Sequence, residues 1–166
     1  RKIIKFLSKK NLTKMDILFD VGAHKGESIN LFLSNMNVKK IISFEPSPIN
    51  FLKLKNIKEH YIKKFDKTEI LIENIGLGNE NKEINFKQFE ESSSSTIKEL
   101  DEESSYFKKK FNLLNYFSKE KIYKILKVKI TTLEDYMNLN KINKISFLKI
   151  YTEGYEYEIL KGLKKK

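Results

Sequence analysis

A doubly wound α/β fold on a mostly parallel sheet is what this sequence predicts, and three observations carry that expectation. Short apolar runs alternate with helix-like stretches along the chain. The first run, Ile17 to Val21, passes through Asp20-Val21-Gly22 and a second glycine, Gly26, into a helical pattern. A second run, Ile41 to Phe44, stops on an acid, Glu45, nineteen residues after Gly26. Strand, glycine turn, helix, strand and terminal acid form the unit that binds an adenosine-containing cofactor across the carboxyl ends of a parallel sheet.

The elements follow in order. The first sixteen residues carry Ile3, Ile4, Phe6 and Leu7 among lysines. This is too short and too charged for a secretory apolar segment. It reads as a helix on the sheet edge, with contact to a membrane surface as the alternative. Strand one is expected at 16–21, then a helix from Glu27 carrying Ile29, Leu31, Phe32 and Leu33, then strand two at 40–45. Ser47-Pro48 predicts a helix cap with proline at the first helical position, opening a helix that presents Phe51, Leu52, Leu54 and Ile57. Strand three is expected at 69–75, and after the turn GLGNEN a short strand at 83–89 alternates Ile84, Phe86 and Phe89.

The run EESSSSTIKELDEESS, 90–105, is the one break in composition and reads as a surface loop. Thr96 and Glu99 offer a capping box for a short helix inside it. In FKKKFNLLNYF, the aromatics Phe107, Phe111 and Phe117 suit helical core packing or a wall against an acceptor. A strand near 125–130, a helix capped at Thr131 or Thr132, a strand at 145–151 and a helix from about 155 complete the order.

Three cofactor classes compete for the glycine unit. A phosphate-gripping loop needs Gly-Lys-Ser/Thr at the head of the helix, and Gly26-Glu27-Ser28 has a glutamate in the lysine position. A dinucleotide site wants three glycines, so that backbone can approach a pyrophosphate. Here there are two, with Glu27 at the helix start, where it would repel a phosphate. An adenosine cofactor without phosphate, S-adenosyl-L-methionine, fits better, with Glu45 accepting hydrogen bonds from both ribose hydroxyls. A tight turn without a ligand is the plain structural alternative.

Charge and composition bound the function further. The net charge of +11 invites a nucleic-acid partner, yet Arg1 is the only arginine and the lysines spread over the whole sequence. Phosphate and base recognition favour the bidentate guanidinium fork, so no nucleic acid is expected and the lysines read as a solvated surface. The absence of cysteine excludes disulfides and thiolate metal sites and suits a reducing cytoplasm. No apolar run approaches the roughly twenty residues that span a bilayer. The chain begins at Arg1 rather than methionine, which leaves room for a segment upstream.

FDVGAHKGES, FEPSPINFLKL, ENIGLGNENKEINF, TTLEDYM and FLKIYTEGYEYEILKG, taken together from Leu18 to Leu163, resemble the FkbM-type methyltransferases in order and spacing. The resemblance implies a single Rossmann-like domain over 1–166 and an S-adenosylmethionine-dependent O-methyltransferase. Such enzymes often act on hydroxyls of sugars, polysaccharides, glycolipids or related small molecules. Enzymes of this class usually have seven strands, so the last strands are expected to be missing, through truncation or through pairing with another subunit. Small hydroxyl residues near Ser94, Ser95 and Thr96 would fall before a segment that can cover the site.

On that resemblance Asp20, Gly22, Ala23 and Gly26 would form the turn around the methionine moiety. Glu45 would hold the ribose with Pro46 beside it, and Asn74 and Ile75 would flank the adenine. Glu153, an acid next to Gly154, is the leading candidate at the reacting end. Glu156 is second, or else a solvated helix residue. Glu153 has helix capping as its alternative role. His24 could titrate near neutral pH but reads first as loop surface, and His60 as solvated. One departure stands out. The family usually has Lys-Ile-Asp-Val-Glu-Gly where this chain reads Lys149-Ile150-Tyr151-Thr152-Glu153-Gly154. Tyr151 stays protonated near neutral pH and is neither a ready base nor a hard metal ligand. Either the acceptor differs, or the domain is a non-catalytic cofactor-binding or interaction module inactivated at Tyr151.

Overall fold

A computed structural model that describes residues 2–89 and 123–163 has seven strands and five helices among those residues. Helix α1 (Lys2–Lys9) precedes β1 (Lys14–Val21), α2 (Glu27–Leu33) and β2 (Asn37–Phe44). Then come α3 (Pro48–Lys64), β3 (Glu69–Glu73), β4 (Gly76–Gly78) and β5 (Lys82–Phe89). Strand β6 (Tyr123–Thr132), α4 (Leu133–Leu139), β7 (Phe147–Ile150) and α5 (Glu156–Lys161) follow. The readings made for 90–105 and for Phe107, Phe111 and Phe117 lie outside the described residues.

The main sheet has the order β3-β2-β1-β7, all parallel, as the alternation of strand and helix predicts. Its central strands are apolar on both faces because both faces are covered, the signature of a parallel sheet between helices. The two-residue period sorts Leu18 and Ile41 from Phe19, Val21, Ile42 and Phe44, while Met15 at the start of β1 joins the first group. Met15, Leu18 and Ile41 point into one core with Ile4 and Leu7 of α1, Ile29 and Phe32 of α2, and Leu54 of α3. Phe19, Val21, Ile42 and Phe44 point into the other, with Leu133 and Tyr136 of α4 and Ile159 of α5. There Phe44 meets Tyr136 edge-on, with ring centroids 4.7 Å apart, a favoured aromatic geometry.

The local signals place the helix starts. Ser47 caps α3, its Oγ accepting from Asn50 N at 3.2 Å, with Pro48 behind it. Of the two threonines before α4, Thr132 is the cap, accepting from Asp135 N at 3.0 Å, whereas Thr131 Oγ1 turns away to donate to Asn81 Oδ1. Leu54 is fully buried on α3, but Leu52 is exposed, because it falls on the opposite side of the helix from Leu54.

One expectation about the strands needs correction. Strand three stops at Glu73, and residues 76–78 form β4 in a separate three-stranded sheet, β4-β6-β5. In that sheet β5 and β6 are antiparallel, so the strands near 83–89 and 125–130 do not extend the parallel sheet. The side-chain pattern explains this. Along β5, Glu83 and Asn85 are exposed while Phe86 and Gln88 are buried, a one-sided alternation typical of an antiparallel pair with one wet face.

Candidate functional site

The carboxyl ends of β1 and β2 are stitched together just where the glycine turn begins. Gly22 N and Ala23 N both donate to Phe44 O, at 3.0 and 3.1 Å. Gly22 has φ 75°, and a Cβ there would sit 2.0 Å from the carbonyl oxygen of Tyr151. Glycine is therefore required twice over, for its left-handed backbone and for the close approach of β7. Gly26, at φ 85°, starts α2 and faces α3, where a Cβ would press on Leu54 Cδ1 at 2.8 Å. Its task is packing the turn against α3.

Glu45 is 4 % exposed and is fastened on both oxygens. Oε2 accepts from His24 N at 2.8 Å and Oε1 from Ser47 N at 3.0 Å. Burial drives its carboxyl up to about pKa 7, against the pull of the Ser47 and His24 N–H groups and the Asn50 amide; Asp20 nearby adds to the rise. A carboxyl that holds its proton more tightly folded than unfolded favours the fold while protonated, below its ordinary 4.5, and that advantage is lost as pH rises through about 7. Urea unfolding should thus show stability falling by up to about 3 kcal/mol between about pH 5 and about pH 8. Glu45→Ala should flatten that slope.

Asp20 lies completely buried behind the turn. Ser28 Oγ donates to its Oδ2 at 2.5 Å, and Lys149 Nζ stands 2.9 Å from its Oδ1. Lys149 also donates to Gly22 O at 2.8 Å, with the Tyr151 ring 5.7 Å from its ammonium. A charge from β7 thus neutralises the one buried at the end of β1 and ties down the carbonyl of the glycine turn.

These groups surround an open cavity of about 440 Å³, within the range of small-molecule sites. The glycine turn contributes Gly22, Ala23 and His24, and α2 adds Glu27, Ser28 and Leu31. Glu45, Pro46 and Asn50 form a second wall. Lys149, Tyr151, Thr152 and Glu153 form a third, and Phe86 closes the site from the small sheet. Among the residues singled out from sequence, Gly22, Ala23, Glu45, Pro46, Tyr151 and Glu153 meet here. Asp20 and Gly26 lie behind the wall. Asn74 turns its amide to Glu45 O and Pro46 O, at 2.9 and 3.2 Å, holding the β2 turn from behind. Ile75 packs into the core with Phe19.

The rim around Glu153 is held by Glu156, whose Oε1 accepts from Thr152 N at 2.9 Å and Gly154 N at 3.3 Å. Burial pushes the Glu156 carboxyl up, but backbone N–H groups of Thr152, Glu156 and Gly154 outweigh it and leave it below its ordinary value. Glu156 is thus a loop anchor rather than a solvated helix residue. Glu153 projects from the anchored turn at φ 54°, followed by Gly154 at φ 102°. Left-handed backbone at a non-glycine residue persists only where neighbours over-determine it. Tyr151 is 65 % exposed at the cavity mouth. His24, also at φ 53°, has Nδ1 3.4 Å from Glu27 Oε1 and lines the cavity, more than the loop-surface role first read for it.

Residues 20–166 match the methyltransferase FkbM domain. The chain belongs to the FkbM methyltransferase family. The crystal structure of methyltransferase FkbM from Methylobacillus flagellatus KT aligns with 90 % of this chain at a TM-score of 0.53 and 18 % identity. That likeness supports the Rossmann-like α/β fold. The chain covers 29 % of that structure's length. No functionally curated protein matches it. Lys149, Ser28, Asn50 and Phe86 are among the site residues that sequence reasoning did not select. Lys149 was in view, inside the FkbM block LKIYTEG, but nothing in the block says that its ammonium turns back to Asp20. Among the described residues no helix is long and apolar enough to cross a membrane.

Proposed function

We propose that this FkbM domain binds S-adenosyl-L-methionine and transfers its methyl group to a hydroxyl of a sugar, polysaccharide, glycolipid or related small acceptor. The observation that carries the reading is Glu45, a buried carboxylate at the carboxyl end of β2 that lines the cavity and is tied to the glycine turn. The charge of the walls supports it. Glu27 and Glu153 present acidic side chains and Glu45 a partly ionised one, while Lys149 is occupied by Asp20. Such a site suits a cation and disfavours a polyphosphate.

The cofactor, when bound, supplies an electrophilic methyl group on a sulfonium. The chain's own residues hold and align. Glu45 takes a ribose hydroxyl, Gly22 and Ala23 give backbone access beside the methionine moiety, and Pro46 offers an apolar face to the adenine. Glu153, on its anchored turn, is placed to accept the proton released by the acceptor hydroxyl. Tyr151 forms the outer wall, so acceptor fit is decided at an aromatic surface instead of an aspartate. The lack of cysteine fits a reducing, cytoplasmic setting.

Calorimetric titration with S-adenosylmethionine and S-adenosylhomocysteine tests this. Micromolar binding is expected, weakened at least about tenfold by Glu45→Ala. Absence of binding by the folded chain sinks the proposal. Exposure of Tyr151 at the position of the family's aspartate favours a second reading, a cofactor-binding module without turnover. Binding that persists through an acceptor screen with no methylated product selects it.

A further inference from the structure

The buried carboxylate of Glu45 is too heavily committed to receive a vicinal diol by itself. Two carboxylate oxygens offer about four acceptor positions. The N–H groups of His24 and Ser47 take one each, at 2.8 and 3.0 Å, and the Asn50 amide bonds the same carboxylate. Only the nitrogen of that amide can donate, so the bond fixes which way Asn50 is turned. Roughly one position on Glu45 is left.

The other end of the same amide is uncommitted. Asn50 is 2 % exposed, lines the cavity, and its Oδ1 has no hydrogen-bond partner among the described residues. A buried acceptor left unpaired is costly, and such groups in folded proteins are normally satisfied or held for a ligand. Its position is fixed by the first turn of α3, where Asn50 N also donates to the Ser47 cap at 3.2 Å. One residue thus joins the helix cap, the carboxylate and the cavity.

We infer that Asn50 is a second ligand-binding residue of the site, and that Glu45 and Asn50 share a vicinal diol, one hydroxyl donating to each. The inference rests on the proposed adenosine cofactor. It alters the simpler expectation in which Glu45 accepts from both ribose hydroxyls. It also makes the site selective: a ligand missing either hydroxyl leaves one buried acceptor unpaired.

Calorimetric titration of the whole chain with S-adenosylhomocysteine and its 2′-deoxy and 3′-deoxy forms is the test. Wild type should bind each deoxy form about tenfold more weakly than the parent, one buried hydrogen bond being lost each time. Asn50→Leu, similar in shape without an acceptor, should weaken the parent about tenfold and abolish the penalty for one deoxy form only. Asn50→Ala repeats the cycle should leucine perturb the fold, with thermal unfolding reporting the fold of both. A penalty for only one deoxy form in wild type, or unchanged discrimination in the Asn50 variants, overturns the role of Asn50 and leaves the cofactor reading standing. Failure of wild type to bind the parent overturns both.

Discussion

Gly22→Ala should cost the domain at least about 4 kcal/mol, or prevent folding at ordinary temperature. Two terms add. An alanine at φ 75° pays for a left-handed backbone, about 1–2 kcal/mol. Its methyl group would also lie 2.0 Å from the Tyr151 carbonyl, a backbone atom with nowhere to go, because Tyr151 N is bonded to Val21 O at 3.0 Å. Relief would require parting β1 from β7 at the site itself. Gly26→Ala is the natural comparison. It shares the positive φ, but its contacts are the side-chain ends of Leu54, Ile57 and Tyr61 rather than backbone, so a smaller loss of about 2–3 kcal/mol is expected. Urea midpoints of the two variants check the ranking. Equal, small losses would show that β7 does not press on the glycine turn.

Lys149→Met should destabilise by about 3–5 kcal/mol, the usual result of leaving a buried charge without its partner. The reason is the asymmetry of the pair: Asp20 is wholly buried, whereas Lys149 reaches it from the cavity wall. Asp20→Asn combined with Lys149→Met removes both charges and should recover a substantial part of the loss, which marks a coupled pair. A loss under about 1 kcal/mol for Lys149→Met, by denaturant unfolding, would mean that the pair is not what holds Asp20 in place. The single variant should also loosen the glycine turn, since Lys149 Nζ binds the Gly22 carbonyl at 2.8 Å.

How far the site could be read in the chain depends on how local its causes are. The Gly22 turn, the acid at Glu45 and the Ser47-Pro48 cap lie close to the elements they shape, and each is found where its local chemistry requires. The parallel core strands were legible as apolar runs, being buried on both faces. The antiparallel β5–β6 pair was harder, because a single strand's alternation does not name its partner, and thirty-odd residues separate the two. Asn74 shows the same limit at the level of a side chain. Its place at the end of β3 is a sequence property, but the choice between facing a cavity and bonding the carbonyls of Glu45 and Pro46 depends on where the β2 turn passes.

The sequence by itself determined the class of fold, the family and the two turns that frame the site, since backbone freedom at glycine, capping at serine and apolar periodicity act over a few residues. Only the tertiary structure decided which side chains share the cavity. Lys149 was brought to Asp20 by the pairing of β7 with β1. Phe86 came from a second sheet, and Glu156 was revealed as the anchor of the turn that carries Glu153. Asn50 joined Glu45 because α3 starts against the end of β2. These meetings follow from the register of strands and the packing of helices, and burial then sets their chemistry: the same glutamate that would titrate near 4.5 in an open chain titrates near about 7 inside this one.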